Sequence, residues 1–264
     1  DGTVEAARAA GAVVRSEPLQ GKGNVVRRMF ADIEADIYVM VDGDNTYDST
    51  AAPVLIQKLL DESLDLVNGK RVHTETEASR AGHQFGNVLL TSLVATIFGK
   101  RFEDMLSGYK VFSRRFVKSF PSLSSGFEIE TELTVHALEL RMPVAEVETQ
   151  YGTRPEGSES KLSTFTDGFR ILKMIAILIK EERPLQFFSG LFGLFVVTSI
   201  ILAIPVVSTY LETGLVPRFP TAILATGMML LGFLCLACGL ILDTVTRGRQ
   251  ELKRLQYLNV NRSG

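Results

Sequence analysis

Asp42-Gly43-Asp44 closes an apolar run, Asp36 to Val41 (DIYVMV), with two carboxylates one residue apart. Two carboxylates on one turn can share a hard divalent cation, which keeps some water and takes its remaining ligands from phosphate oxygens. Gly43 leaves room for a ligand to approach the backbone. Asp and Gly also crowd ordinary turns after strands, so the triplet alone leaves metal binding and simple turn formation both open. Two basic segments add to it. Gln20-Gly21-Lys22-Gly23 precedes a helical pattern, where amides and Lys22 could meet an anion at a helix N-terminus. The polar loop Arg154 to Leu162 (RPEGSESKL) carries Arg154 and Lys161, which could neutralise a diphosphate as charge develops on a leaving group. Singly each reads as a solvated loop; with the two aspartates they outline metal–diphosphate chemistry.

No other constellation competes. His73, His83 and His136 are scattered, with no HExxH or paired spacing. Cys235 and Cys238 form a CxxC inside an apolar run with no His or second pair nearby, so they read as small hydrophobes rather than zinc or redox ligands. No GxSxG, P-loop or GxGxxG is present. Glu128, Glu130 and Glu132 gather at the start of a helix, where capping and a place in a cleft are both open.

These residues need a scaffold, and its elements alternate. Helical patterns at Thr3–Ala10 (stopped by Gly11), Asn24–Glu34, Ala51–Leu60, Gly82–Phe98, Glu128–Leu140 and Thr164–Ile179 separate strands at Ala12–Val14, Asp36–Val41, Leu64–Val67 and Val144–Tyr151. Such alternation implies crossover connections and a mostly parallel sheet flanked by helices, with ligands at the carboxyl ends of the strands. The 264 residues suffice to bury a full core. A net charge of −2 gives no electrostatic footprint for nucleic acid. Two Cys exclude a disulfide framework.

The mean hydropathy of +0.18 is high for a soluble chain, and the excess lies at one end. Phe187–Leu211 and Phe219–Leu242 run without a charge. Each exceeds the roughly 20 apolar residues that cross a hydrocarbon core. Lys180 and Arg183 precede them and Arg247, Arg249, Lys253 and Arg254 follow, so the positive-inside rule puts both flanks in the cytoplasm and the short turn outside. Thr164–Ile179 is apolar with interspersed Arg170 and Lys173, which suits a helix in the headgroup region as well as a core helix.

The ordered set GKG, the strand ending in DGD, EDMLSGYKVFSRR, GFEIETEL and RPEGSESKL resembles family 2 glycosyltransferases, most closely their polyprenyl-phosphate (dolichyl-phosphate mannose synthase-like) branch. The resemblance covers nearly all of residues 1–183, and the two-helix anchor also occurs in that branch. It implies a glycosyltransferase-A-type fold followed by a transmembrane hairpin. The implied reaction is inverting transfer of a sugar from a GDP- or UDP-linked donor to an undecaprenyl or dolichyl phosphate at the cytoplasmic membrane face. By resemblance Asp42 and Asp44 hold Mg²⁺ or Mn²⁺ against the donor diphosphate, Lys22 lies near the donor, and Arg154 and Lys161 clamp the diphosphate. Ser107 and Arg114 match positions that hold the acceptor phosphate, with Lys100 or Arg101 assisting. Asp104 matches an acidic position that serves as base in relatives acting on hydroxyls. A phosphomonoester is already ionised at neutral pH and needs no base, so Asp104 is also open to an orienting or capping role.

Two departures accompany the resemblance. Asp1-Gly2-Thr3 resembles the tail of a DDGSxDGT-type segment, which implies a nucleobase-binding strand upstream and a truncated domain. Thr46 stands where some relatives place a metal-contacting Gln. The expected organisation is a cytoplasmic transferase domain at 1–162, an amphipathic juxtamembrane helix at 163–185, two membrane helices within 186–242 and a basic cytoplasmic tail at 243–264. The expected location is the inner cell membrane, and a homo-oligomer is compatible with the sequence. A non-catalytic membrane scaffold that keeps the fold is the alternative. A polysaccharide synthase is disfavoured by the absence of Trp, and hence of QxxRW, and by having only two spans.

Overall fold

The computed structural model describes residues 2–73, 91–92, 94–96, 99, 101–121, 129–152, 173 and 176–261. The chain divides into two compact units, residues 1–161 with 253–264, and residues 162–252.

In the first unit α1 (Thr3–Ala9) ends before Gly11, whose φ of 84° suits a residue without a Cβ. Helix α2 (Lys22–Asp32) leads to β1 (Ile37–Met40). A 3₁₀ turn (Ser49–Ala51), capped by the Asp48 carboxylate, opens α3 (Ala52–Asp61). Strand β2 (Leu66–His73), strand β3 (Lys110–Ser113), helix α4 (Arg114–Ser119), helix α5 (Ile129–Glu139) and strand β4 (Val144–Tyr151) follow.

Most of the expected alternation is present. The strand expected at Ala12–Val14 does not form; the segment has no ladder partner among the described residues, and Val13 is 84% exposed. Conversely, β3 and α4 occupy the stretch KVFSRR, whose four strand residues are all buried and therefore show no alternation to read. The helices expected over 82–98 and 164–179 lie largely outside the described residues.

The strands order as β1-β3-β2-β4. β3 is antiparallel to both β1 and β2, while β2 and β4 are parallel. Three strands therefore share one direction and β3 runs against them, so the sheet is mixed. One face packs Val67, Tyr109 and Val111 against Leu55 and Leu59 of α3. On the other, Phe112 contacts Phe30 of α2 and Phe116 of α4, and Phe116 contacts His136 of α5 edge-on.

The end of the last helix belongs to this unit. Asp65, fully buried, accepts a two-pronged pair from Arg115 and a 2.7 Å hydrogen bond from the Tyr257 hydroxyl. Lys253 pairs with Glu139 at 2.6 Å and Arg254 donates to the Leu140 carbonyl at 2.8 Å. Two of the four basic residues that follow the second apolar run, Lys253 and Arg254, are thus engaged by the domain itself.

In the second unit α6 (Pro184–Thr213) and α7 (Phe219–Asn259, whose last residues enter the first unit) have mean hydropathies of 2.5 and 2.3 over their most apolar stretches, long and apolar enough to cross a membrane. They are antiparallel: Gly232 lies under Phe192 and Phe195, Gly239 under Phe188, and the Ser199 hydroxyl donates to the Ala225 carbonyl at 2.7 Å. The outward faces carry Leu194, Ile201, Ile204 and Leu211, each more than half exposed. Cys235 and Cys238 are free thiols.

Two stability measurements test this packing. Asp65→Asn strands the Arg115 guanidinium and is expected to cost about 3–5 kcal/mol in urea unfolding. Burial, with the charge of Lys253, pushes the His136 imidazole down to about 3, against about 6.5 when unfolded. The unfolded chain therefore takes up the proton first, and stability falls as pH drops from about 6.5 toward 3, by up to about 1.4 kcal/mol per pH unit. His136→Leu is expected to remove that slope.

Candidate active site

The carboxyl ends of β1, β2 and β4 and the amino end of β3 meet at one edge of the sheet. The register Met40↔Lys110, continued by two residues, brings Asp42 opposite Gly108. A Cβ at position 108 would overlap the Asp42 carboxylate, so only glycine admits this approach. Lys22, in the first turn of α2, places its ammonium 2.5 Å from Asp42 Oδ1 and 2.5 Å from Glu130 Oε1. Burial opposes the charge on Lys22, but Glu130 and Asp42 outweigh it and hold the ammonium above its ordinary value. Asp42 remains about a third exposed, whereas Glu130 is 8% exposed and its second oxygen has no hydrogen-bond partner among the described residues.

After Asp42 the chain turns through Asn45, whose φ of 59° is a conformation asparagine tolerates. Asp44 Oδ1 accepts from the Thr46 amide at 3.3 Å and hydroxyl at 2.6 Å. Thr46 is buried, so its hydroxyl orients Asp44 instead of facing a ligand. The segment is pinned to the end of β4 by the Gly152 amide donating to the Thr46 carbonyl and by a Tyr47↔Tyr151 bridge. The Tyr47 hydroxyl accepts from the Gly108 amide at 2.7 Å, which locks the two loops together.

Beside them Arg71, near the carboxyl end of β2, grips Asp104 with a fork: Nε to Oδ2 and Nη2 to Oδ1, both 2.7 Å. Its guanidinium lies 5.6 Å from the Tyr151 ring centre. Burial alone would raise the Asp104 carboxyl, but the hydrogen bonds and charge of Arg71, aided by Lys110, hold it below the usual range. A buried network supports this loop. Lys110, fully buried, donates to Asn68 Oδ1 at 2.6 Å and the Met105 carbonyl at 3.2 Å. Asn68 donates to the Asp104 carbonyl, and Glu146 accepts from the Glu103 and Asp104 amides. Burial pushes Lys110 down to about 8, Asp104 and Glu130 opposing it.

The structure therefore joins Lys22, Asp42, Asp44 and Asp104 in one region and adds Arg71 and Glu130. Arg71 carries no motif of its own in NGKRVH; only its fork onto Asp104 marks it. Two expectations are corrected. Ser107 is fully buried, and its hydroxyl donates to the Gly69 carbonyl at 2.5 Å, so it braces β2 instead of presenting a phosphate donor. Arg114 lies at the far end of β3, where its amide donates to the Asp36 carbonyl and its side chain meets Glu34. Four strand residues separate it from the end that carries Asp42, so Ser107 and Arg114 cannot form one cradle. Arg101 is exposed, three residues ahead of Asp104. Arg154, Lys161, Lys100 and Glu128 lie outside the described residues.

The donor set suits a hard divalent cation. No cluster of three or more His, Cys, Asp or Glu that could hold a metal occurs among the described residues. Two carboxylates on one turn match a cation that completes its shell with water and phosphate. The Asp42 carboxylate packs into the space beside Gly108 and remains about a third exposed.

No family model matches the chain. It is 31% identical over 261 residues to glycosyltransferase AglJ of Haloferax volcanii, covering 98% of this chain and 86% of that protein. It is 28% identical over 180 residues to the low-salt glycan biosynthesis hexosyltransferase Agl6 of the same organism, covering 67% and 43%. Among solved structures it resembles glucosyl-3-phosphoglycerate synthase from Mycobacterium tuberculosis in complex with Mn²⁺, UDP and phosphoglyceric acid. That match has a TM-score of 0.52 at 26% identity, over 68% of this chain and 63% of that one, less than two thirds of the synthase.

The Arg71–Asp104 fork is testable by unfolding. Arg71→Met removes the guanidinium fork from the Asp104 carboxylate, which is 8% exposed and keeps the backbone amide of position 71 as a donor, and is expected to cost about 1.5–3 kcal/mol. Arg71→Lys keeps the charge but not the fork and should fall between the two; equal melting of all three proteins would discard the pair as a stabilising element.

Proposed function

The chain belongs to the glycosyltransferases, in the family of AglJ, with a GT-A-type fold, and from that premise we propose that it transfers a sugar from a nucleotide-diphosphate donor to a polyprenyl phosphate with inversion, as a metal-dependent family 2 enzyme. The observation that carries the reading is the meeting of Asp42, Lys22 and the Arg71–Asp104 pair at the carboxyl ends of the strands, where open α/β sheets take ligands.

Asp42 and Asp44 hold Mg²⁺ or Mn²⁺, which when bound neutralises the donor diphosphate. The synthase that binds Mn²⁺ with UDP supports a divalent ion and a nucleotide donor. Lys22 faces the diphosphate from the start of α2, and Arg154 and Lys161 complete the clamp. On the acceptor side Arg71 is, among the described residues, the cation best placed for a phosphate. Arg71 is always charged, presents planar donors, and is fixed by Asp104 on one side and Tyr151 on the other. Asp104, held ionised by that guanidinium, acts by positioning Arg71. An acceptor phosphate oxygen would attack the anomeric carbon as the bond from that carbon to the donor diphosphate oxygen breaks, releasing the nucleoside diphosphate, and an already ionised phosphate needs no base.

A lipid acceptor is supported by α6 and α7, whose length and apolar faces suit a membrane hairpin with the transferase domain and both ends of the chain on the cytoplasmic side. Residues 1–162 form the catalytic part, and 163–185 are the juxtamembrane segment that leads to the hairpin. The tail from 243 starts as the membrane flank, and its end serves the domain.

The test is transfer by the full chain in detergent. Labelled UDP- and GDP-sugars are offered with polyprenyl phosphate and Mn²⁺, and organic-extractable product is counted. One donor is expected to give metal-dependent lipid product. Asp44→Ala should lower turnover by about 10²–10³-fold, and unchanged turnover would overturn the metal assignment. Arg71→Lys should raise KM for the lipid phosphate more than for the donor. No product from any donor with nucleotide still bound would point to a sugar or acceptor outside the panel, and loss of nucleotide binding as well would favour the scaffold alternative.

A further inference from the structure

Lys22 does more in this structure than lie near a donor. Its ammonium stands 2.5 Å from the same Asp42 oxygen that a divalent ion would use. A cation held by that oxygen would stand close to the ammonium, and two positive centres so close would repel strongly. In this side-chain arrangement Asp42 Oδ1 is already neutralised. Resting on the transferase reading, we propose that Lys22 is a built-in cation that occupies Asp42 until a metal–diphosphate displaces it, and that Glu130 is the positioning residue that receives it.

Glu130 is suited to that task. It sits 2.5 Å from the ammonium in the first turn of α5 and is 8% exposed. Its second oxygen is buried without a hydrogen-bond partner among the described residues. An ammonium carries three donors, so Lys22 can release Asp42 and complete its set on Glu130 without leaving a protein partner. The four-carbon stem supplies the reach. A metal ion arriving alone must displace Lys22 from Asp42 and then stand beside its ammonium, with Glu130 as the carboxylate that opposes the repulsion. A metal–diphosphate brings negative charge that the released ammonium can face. The site therefore takes the metal together with the nucleotide and discriminates against free metal.

The probe is Mn²⁺ binding to the full chain in detergent, read from loss of the free-ion EPR signal, with and without UDP. The double variant Lys22→Met/Glu130→Gln removes one positive and one negative charge, so the local net charge is unchanged. It is expected to bind Mn²⁺ alone at least about tenfold tighter than wild type, and the factor by which UDP tightens Mn²⁺ should shrink correspondingly. Adding Asp42→Asn should abolish the gain; a gain that persists overturns the proposal. Equal or weaker binding of Mn²⁺ alone by the double variant overturns it too, while Mn²⁺ uptake by wild type with UDP keeps the transferase reading. A wild type that takes up no Mn²⁺ even with UDP overturns both. Should the double variant fail to fold, Lys22→Gln carries the same comparison.

Discussion

Charges withdrawn from water must be matched, and that requirement holds the candidate site together. Lys110, fully buried, can stay there because Asn68, Met105 and Thr134 take its hydrogens. Asp104 is buried because Arg71 forks onto it and Lys110 adds its field. Glu146 anchors the Glu103 and Asp104 amides. Removing Lys110 or the Arg71 guanidinium takes a compensating charge from buried Asp104, and removing Glu146 strands the two amides it accepts from. The Asp104 fork holds the Arg71 side chain at a defined place.

The same loop is what the mixed sheet makes useful. Because β3 runs against β1 and β2, the segment entering β3 lies beside the segment leaving β1. Gly108 then faces Asp42, and the absence of a side chain lets the carboxylate occupy that space. Tyr47 closes the arrangement from the β1 side through the Gly108 amide. An all-parallel sheet would send the chain into every strand from the opposite end. The reversal of one strand therefore places two site-forming loops in contact, and it sends Arg114 to the far end.

The chemistry follows from which charges remain open. Arg71 is fixed yet only partly covered, with its side chain 24% exposed, and Asp42 is 35% exposed, so each can meet a ligand on its free side. A phosphate nucleophile needs positive charge and orientation more than it needs a base, and a carboxylate held ionised by a guanidinium supplies orientation without competing for a proton. The helices α6 and α7 are long and apolar enough to cross a membrane, and on the proposed reading they would hold the chain at the bilayer in which a lipid phosphate keeps its tail.

The residues that were legible beforehand carry their information locally. DGD after an apolar strand, GKG before a helix and two uncharged runs of more than 20 residues each follow from neighbours in the chain, through turn chemistry, capping and bilayer thickness. Among the described residues the alternation of helix and strand is readable for the same reason, except at Ala12–Val14, where no strand forms, and at β3, where burial on both faces erases the period of two. Motif spacing grouped Ser107 with Arg114, although a strand running between them carries the two to opposite ends of the sheet. Arg71 with Asp104 and Lys22 with Glu130 are separated by 33 and 108 positions, so no local pattern joins them. Sequence alone determined the chemical vocabulary and the elements that carry it. Tertiary structure decided which charges share a buried space, because only strand order and direction bring distant side chains close enough to need one another.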